Sequence, residues 1–488
     1  MRICLVASEA VPLAKTGGLA DVVGALTFHL TRAGHDARLI LPFYSGIEAP
    51  AGGLAPVEQV QEVELEMGAR VLRFSLLRWA GEDDRQTIYL LDCPELYHRD
   101  SIYSADPDEP LRFAFLCRAA LESCQRLEWS PQVFHCHDWH AALLPVYLAA
   151  SGRSWPLLGA SRTLLTLHNI AYQGVFEEKW LDSMGLGGGT GFPAEASYAS
   201  GYVNLLAAGI ATADLLSTVS PTYAEEIQTP ELGMGLDGIL QRRRRELFGI
   251  LNGVDYDIWD PRVDPLIPFN YTPTDLSGKA KNKSALLSDL GLPLAPDLPL
   301  AGVVTRLVEQ KGLDLLVDVL PRALEQKKLH LVALGSGEER YVRFLRSLEL
   351  RFPQAARYRN GYDEELAHRI EAASDLFLMP SHFEPCGLNQ MYSLRYGTPP
   401  LVRATGGLAD SVQPFDAPTG SGTGFVFESF TPEAFSAVFD QALETWSNRA
   451  TWHRLIANGM AKDFSWKTQV GEYEVLYRFL ATTGALSM

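Results

Sequence analysis

Arg306 and Lys311 stand five residues apart in the string TRLVEQKG, at the junction of an apolar run and an amphipathic one. Two fixed cations at such a junction suit a diphosphate, whose negative charge grows as it departs. Each charge-assisted hydrogen bond there would contribute about 1.5–3 kcal/mol. The competing reading is a solvated loop, since most Lys and Arg side chains lie at the surface. Further on, PSHFEPCGLNQMY (380–392) places Glu384 in a loop between an apolar run and a helix expected to start near Gly387. That helix start could receive phosphate or ribose oxygens. Glu384 could bind a sugar diol or support a cationic transition state.

The first half of the chain has its own candidates. LLTLHNIAYQG (164–174) delivers His168 and Asn169 where a buried strand should end, beside Tyr172 and Gln173, a set suited to reading sugar hydroxyls. A structural histidine is the plainer alternative. In VFHCHDWH (133–140), His135, His137, His140 and Asp138 invite a metal reading. Strand alternation, however, puts His135 and His137 on one face and leaves His140 on the following helix. The other reading has Asp138 and Trp139 line a cleft, with the indole offering a flat face to a sugar ring. No metal site is therefore assigned.

The string TGGLAD occurs twice, at 16–21 and 405–410, each time where a loop should yield to a helix. Paired glycines (Gly17 and Gly18, Gly406 and Gly407) let backbone approach a ligand. Amides at a helix start suit anionic or hydroxyl oxygens. Two ordinary helix caps are the alternative. Lys15 precedes the first copy and could hold phosphate, but GxxxxGK[ST] is absent and the segment is no P-loop.

Elements that could position these residues follow from the pattern of apolar runs. Strands are expected over 2–8, 37–43, 133–137, 163–168 and 215–219, with a helix over 19–33. A second series follows the NGVD string at 252–255 and a Pro-rich stretch over 261–299. It comprises strands over 300–306, 329–334, 375–380 and 400–403, and a helix over 312–326. Strands alternating with helices imply parallel sheets covered on both faces. The expected class is α/β, with two doubly wound halves joined near residue 253. Residues 465–480 read as an aromatic-rich helix that could belong to either half. Arg242 to Arg245 read as a solvated helix face and Gly187 to Gly189 as a loop.

The bulk properties narrow the function. A chain of 488 residues, 47% hydrophobic, is too long for one core and suits two domains. A net charge of −17 opposes nucleic-acid or anionic-membrane binding, but a neutral polymer would be indifferent to it. The six cysteines form no CxxC pair and read as reduced thiols, and no apolar stretch is long enough to span a membrane. A cytoplasmic location is expected.

With these motifs assembled, the chain resembles the bacterial glycogen synthases and plant starch synthases nearly end to end. The resemblance rests on KTGGLADVVGAL, CHDWH, LHNIAYQG, TVSPTYAEEI, LNGVD, TRLVEQKG, EPCGLNQMYSLRYGTPP and ATGGLADSV, in that order. It implies a GT-B architecture: two Rossmann-like doubly wound domains facing a central cleft. Residues 1–253 would form the acceptor-side domain and 254–464 the nucleotide-sugar side, with 465–488 packing back on the first. It further implies transfer of glucose from ADP-glucose to the non-reducing end of an α-1,4-glucan, such as glycogen, with retention and release of ADP. Neither a cofactor nor a metal is expected.

By match to the family motifs, His168, Arg306, Lys311 and Glu384 are the expected catalytic residues. Lys15, Gly17, Gly18, Asp138, Asn252, Tyr362, Cys386, Gly387, Leu388, Thr405, Gly406 and Gly407 would bind the donor, with Tyr362 on the base. Glu9, Tyr103, Trp139 and Asn169 match positions associated with the acceptor. Many retaining GT-B transferases carry a second glutamate eight residues after the first, where this chain has Tyr392. That departure leaves open how a ribose is held. The rival readings are a sucrose or trehalose-phosphate synthase-like transferase, a phosphorylase, and an inactive glucan-binding protein. UDP-glucose stays open as donor because an aromatic ring stacks on any base. The sequence carries nothing that sets an oligomeric state.

Overall fold

In the computed structural model, residues 1–48, 53–79, 86–150, 154–188 and 191–483 are described. They divide into two compact units. The first comprises Met1–Val219, Ala224–Ile250 and the segment from Trp466; the second comprises Ser220–Tyr223 and Leu251–Ser465.

The first unit is built on one large sheet. Seven of its strands run parallel, in the spatial order Leu247–Gly249, Leu215–Thr218, Arg162–Leu167, Val133–His137, Arg2–Val6, Asp36–Pro42, Thr87–Asp92. Numbered along the chain this is 7-6-5-4-1-2-3, the doubly wound order with one strand added. The edge beyond Thr87–Asp92 is antiparallel, beginning with Arg70–Trp79. Apart from Arg2 and Arg162 at their first positions, the central strands are buried, as helices on both faces require. The helix Trp466–Thr483 packs against Gly18–Arg32 and the strands Val133–His137 and Arg162–Leu167. Its Tyr473 and Tyr477 have no exposed surface.

The second unit holds a six-stranded, all-parallel sheet. Its order is Ala356–Asn360, His330–Gly335, Leu300–Val304, Leu376–Met379, Pro400–Arg403, Phe425–Phe427. Along the chain this reads 3-2-1-4-5-6, the dinucleotide-binding order. Helices such as Leu313–Glu325 bury one leucine-rich stripe, and the core gathers Leu316, Leu320, Leu331, Phe427 and Phe435.

Several expected strands end earlier than their apolar pattern suggested. The strand expected over 2–8 stops at Val6 and that over 300–306 at Val304. In each case the ladder with the neighbouring strand ends there, Val6 opposite Ile40 and Val304 opposite Leu334. Apolarity continues past that point because the following loop is buried too, so hydropathy cannot mark the end. The shift matters, since it leaves Arg306, expected at a strand end, on a loop. The helix expected from Gly387 begins at Asn389, and Gly387 itself has φ of +72°. Gly189 and the chain beyond Thr483 lie outside the described residues, and Arg243 is tied down by the carbonyls of Ile210 and Ala213.

Candidate active site

In doubly wound sheets ligands bind beyond the carboxyl ends of the strands where strand order reverses. In the first unit that reversal lies between Arg2–Val6 and Val133–His137. Glu9 lies on the loop after Arg2–Val6 and Asp138 opens the helix after Val133–His137, while the adjacent strand Arg162–Leu167 delivers His168 and Asn169.

Glu9 is buried, and its carboxylate caps the first glycine string. It accepts from the amides of Thr16 and Gly17 (3.1 Å), from the Thr16 hydroxyl (2.8 Å) and from the Tyr103 hydroxyl. Ser8 Oγ lies 2.8 Å from that same hydroxyl. Burial, then the neighbouring Glu9 charge, push the Tyr103 phenol far above its ordinary range, so Tyr103 is a neutral donor. The amide of Gly17, one of the glycines expected to meet an anionic or hydroxyl oxygen, is thus occupied by an internal carboxylate. Lys15 pairs with Asp21 at 2.7 Å on the half-exposed surface. A Cβ added to Gly17 would meet nothing within 4 Å, so the space beside it is open.

Asp138 opens the short helix Asp138–Ala141 with φ of +55°, an uncommon conformation for a non-glycine residue. Its carboxylate accepts from the His168 amide at 2.7 Å. Burial pushes the Asp138 carboxyl up to about 7, against the lowering effect of the His168 and Asn169 amides. His168 and His135 are both pushed down to about 3, His168 by burial and His135 by burial and then His168. At neutral pH both are uncharged imidazoles. Asn169 turns its carbonyl oxygen onto the Ala171 amide at 3.0 Å.

Trp139 corrects one expectation. Its indole is only 8% exposed, hemmed by His140, Phe113 and Phe176. A Cβ on Gly174 would lie 2.5 Å from its ring. The residue is a packing centre under the loop rather than an open platform, because the HNIAYQG turn folds over it. His135 and His137 are also engaged with other side chains. His135 bonds Tyr477 (2.8 Å) and Thr166 (2.6 Å), and His137 lies 3.0 Å from His168. Among the described residues, no group of three or more His, Cys, Asp or Glu side chains is placed to hold a metal ion.

In the second unit the reversal lies between Leu300–Val304 and Leu376–Met379. The first of these strands delivers Arg306 and Lys311, the second Glu384. The two loops interlock: His382 donates its amide to Gln310 (2.8 Å), and a Cβ on Gly312 would strike the Pro380 carbonyl at 1.9 Å. The Lys311 ammonium donates to Glu384 Oε2 at 2.6 Å, and Ser381 Oγ donates to the same oxygen at 2.9 Å. Both charges are largely buried. The Arg306 side chain, by contrast, is exposed and makes no hydrogen bond or ion pair among the described residues. Its loop is held by Gly335 and Gly337, whose missing side chains let the carbonyls of Thr305 and Leu307 approach. Lys311, expected on a ligand diphosphate, is therefore already paired in this state.

The second TGGLAD copy does different work from the first. Gly406 (φ +43°) and Gly407 press on the Glu384 loop, where added Cβ atoms would meet the Glu384 carbonyl at 2.0 Å and the Cys386 carbonyl at 2.2 Å. The Gly407 amide is spent on the carbonyls of Glu384 and Pro385. This copy follows the fifth strand of its sheet, the first copy the first strand of its own, so the two are not topological equivalents. Thr405 and Cys386 are buried, and burial raises the Cys386 thiol to about 12, although the Asn252 amide bonds it. Asn252 Oδ1 is buried with no partner among the described residues. Leu388 caps the Asn389–Arg395 helix, and Tyr362, 67% exposed, stands at the end of the Ala356–Asn360 strand.

Sequence reasoning missed some supporting groups. Ser381, which holds Glu384, sits within the quoted motif and was legible there. Trp259 was not. Its ring lies between Tyr392 (3.9 Å, 1° between planes) and His368 (3.6 Å), and His368 bonds Asp264 at 2.8 Å. Nothing in the linear pattern marks that stack, which fixes the Tyr392 ring.

Comparison with known proteins identifies the family. Residues 2–242 match the family described as starch synthase catalytic domain, and residues 291–460 match glycosyl transferases group 1. A glycogen synthase of Geotalea daltonii is 44% identical over 484 residues, covering 98% of this chain and 99% of its own. One of Anaeromyxobacter dehalogenans is 45% identical over 486 residues, covering 99% and 100%. The catalytic domain of starch synthase IV from Arabidopsis thaliana, bound to ADP and acarbose, superposes with a TM-score of 0.90 at 34% identity, covering 99% of each chain. The two Rossmann-like units are thus those of a GT-B transferase, and the chain belongs to the glycogen synthase and starch synthase family of glycosyltransferases.

Proposed function

We propose that the chain transfers glucose from ADP-glucose to the 4-hydroxyl at the non-reducing end of an α-1,4-glucan, releasing ADP with the α configuration retained. The observation that carries this reading is the Arg306, Lys311 and Glu384 group at the strand-order reversal of the second unit. The relative bound to ADP and acarbose supports both the nucleotide and the glucan.

Arg306 supplies the uncompensated positive charge that a diphosphate needs. Lys311 adds its charge as the diphosphate competes with Glu384 for the ammonium. As the anomeric bond stretches, negative charge flows onto the diphosphate and positive charge onto the sugar. Glu384 is the group suited to the second, the two cations to the first. The acceptor hydroxyl attacks on the face the leaving group vacates, and a departing phosphate oxygen takes its proton. No protein base is needed, and His168, being neutral, serves as a hydrogen-bond partner of the transferred glucose. Two fixed cations perform the charge stabilisation, so the reaction is proposed to run without a metal.

The donor side is assigned to the second unit, with Tyr362 on the base, and the glucan side to the first, with Glu9, Tyr103 and Asn169. No nucleic acid or membrane enters the scheme, consistent with the net charge of −17. No helix among the described residues is long and apolar enough to cross a membrane. A cytoplasmic location fits that charge and the six buried, unpaired cysteines.

The test is incubation of the purified chain with glycogen and either ADP-glucose or UDP-glucose, in chelator, with nucleotide diphosphate release as readout. Glucan-dependent ADP release, much slower with UDP-glucose, supports the reading. Silence with both donors would favour a different acceptor or a glucan-binding protein.

A further inference from the structure

The parallel register sets His137 opposite Thr166, so that His137 and His168, two residues further on, project from one face of adjacent strands. His137 Nδ1 lies 3.0 Å from His168 Nε2. Both rings are buried, His137 completely. Burial lowers the basicity of each, so the pair is neutral and only one hydrogen lies between the two nitrogens.

That hydrogen has two possible homes with different consequences. The other nitrogen of His137, Nε2, is buried without a partner among the described residues. If His168 were the donor, His137 would carry its own hydrogen on Nε2 and leave a buried N–H unsatisfied. If His137 is the donor, Nε2 holds only a lone pair. Orphaned buried N–H groups are rarer than under-satisfied acceptors. We infer that His137 is a positioning residue that donates Nδ1–H to His168 Nε2 and so fixes His168 as the tautomer with its hydrogen on Nδ1. A histidine's tautomer is set by the bond its second nitrogen makes. His168 Nδ1 has no hydrogen bond among the described residues and is left to offer a donor to a sugar oxygen.

The neighbours hold this arrangement in place. The His135 ring lies 4.1 Å from that of His137 and is pinned between Tyr477 of the C-terminal helix and Thr166, which in turn lies 2.6 Å from Ser217 Oγ. His137 therefore has little freedom to flip and exchange its nitrogens.

The inference rests on the reading that His168 contacts the transferred glucose, and its test separates the two. Full-length chain labelled with ¹⁵N-histidine is examined by long-range ¹H–¹⁵N correlation at neutral pH, with His168→Gln and His137→Asn used for assignment. The expected spectrum shows His168 protonated at Nδ1 and bare at Nε2. The reverse tautomer overturns the inference, even if wild-type transfer activity upholds the functional reading. Conversely, a chain without transfer activity sinks the reading while the tautomer is still measured. His137→Leu should release the His168 tautomer and lower kcat by roughly 10–100-fold, by analogy with losing the partner that orients a metal-bound histidine. His137→Asn, which keeps an amide donor at the Nδ1 position, should stay within about threefold of wild type on the same scale. A rate loss in His137→Leu with the His168 spectrum unchanged would show a merely structural role and overturn the inference.

Discussion

The Lys311 ammonium lies 2.6 Å from the Glu384 carboxylate, while the Arg306 guanidinium, on the same loop as Lys311, has no partner among the described residues. One cation is therefore available to a diphosphate at once, and the other only in competition with an internal anion.

This asymmetry separates three variants. Arg306→Ala and Lys311→Ala should each lower kcat by roughly 10²–10³-fold, as loss of a preorganised charge does. Glu384→Gln should also lower kcat, yet leave ADP bound as tightly or more tightly, because the Lys311 charge is released. Calorimetric titration with ADP beside steady-state kinetics checks the split; weaker ADP binding in Glu384→Gln would contradict it.

The two copies of TGGLAD should respond oppositely to alanine. Gly407→Ala forces a methyl onto the Cys386 backbone and should destabilise by about 1–3 kcal/mol, the cost of overpacking. Gly17 is extended (φ −156°) and faces open space, so Gly17→Ala should change stability by no more than about 0.5 kcal/mol. Denaturant unfolding measures both. An activity loss in Gly17→Ala then reports on a ligand rather than on the fold.

Asp138 makes stability depend on pH in a defined direction. Its folded value of about 7 lies above the ordinary carboxyl value of 3.8, so the folded state binds more protons between those limits. Its contribution is therefore present at low pH and lost as pH rises towards 7. Asp138→Asn cannot ionise, keeps the acceptor for the His168 amide and tolerates positive φ. It should raise Tm more at pH 8 than at pH 5, and equal shifts at both would refute the assignment.

His135 and His168 act in the opposite sense on the acid side. Their folded values of about 3 lie below the ordinary imidazole value of 6.5, so the unfolded state binds more protons between pH 3 and 6.5. Their contribution is present above 6.5 and lost as pH falls through that window. His135→Gln should flatten the decline in stability between pH 6.5 and 4. The pH–rate profile should show no limb near 6.5 from His168.

The C-terminal helix is tied to the same histidines. Tyr477→Phe removes the 2.8 Å bond to His135 and leaves a buried nitrogen without its partner, at a cost of about 1–3 kcal/mol in unfolding free energy. No change in stability would mean that this bond contributes nothing.

By itself the sequence determined the family, the parallel α/β class and the loops that carry the chemistry. Those signals are local or ordered along the chain: apolar runs of strand length, glycine pairs at helix starts, and motifs in fixed succession. Tertiary structure alone decided which atoms those residues meet. Nothing local pairs His135 with Tyr477, 342 residues away, or lays the HNIAYQG turn over Trp139. Nor does a repeated string reveal that one copy grips the Glu9 carboxylate while the other wedges beneath Glu384. Strand order and register set these partners. They are chosen when the sheet closes and buried polar groups must find hydrogen bonds, a condition on the whole unit rather than on any segment of it.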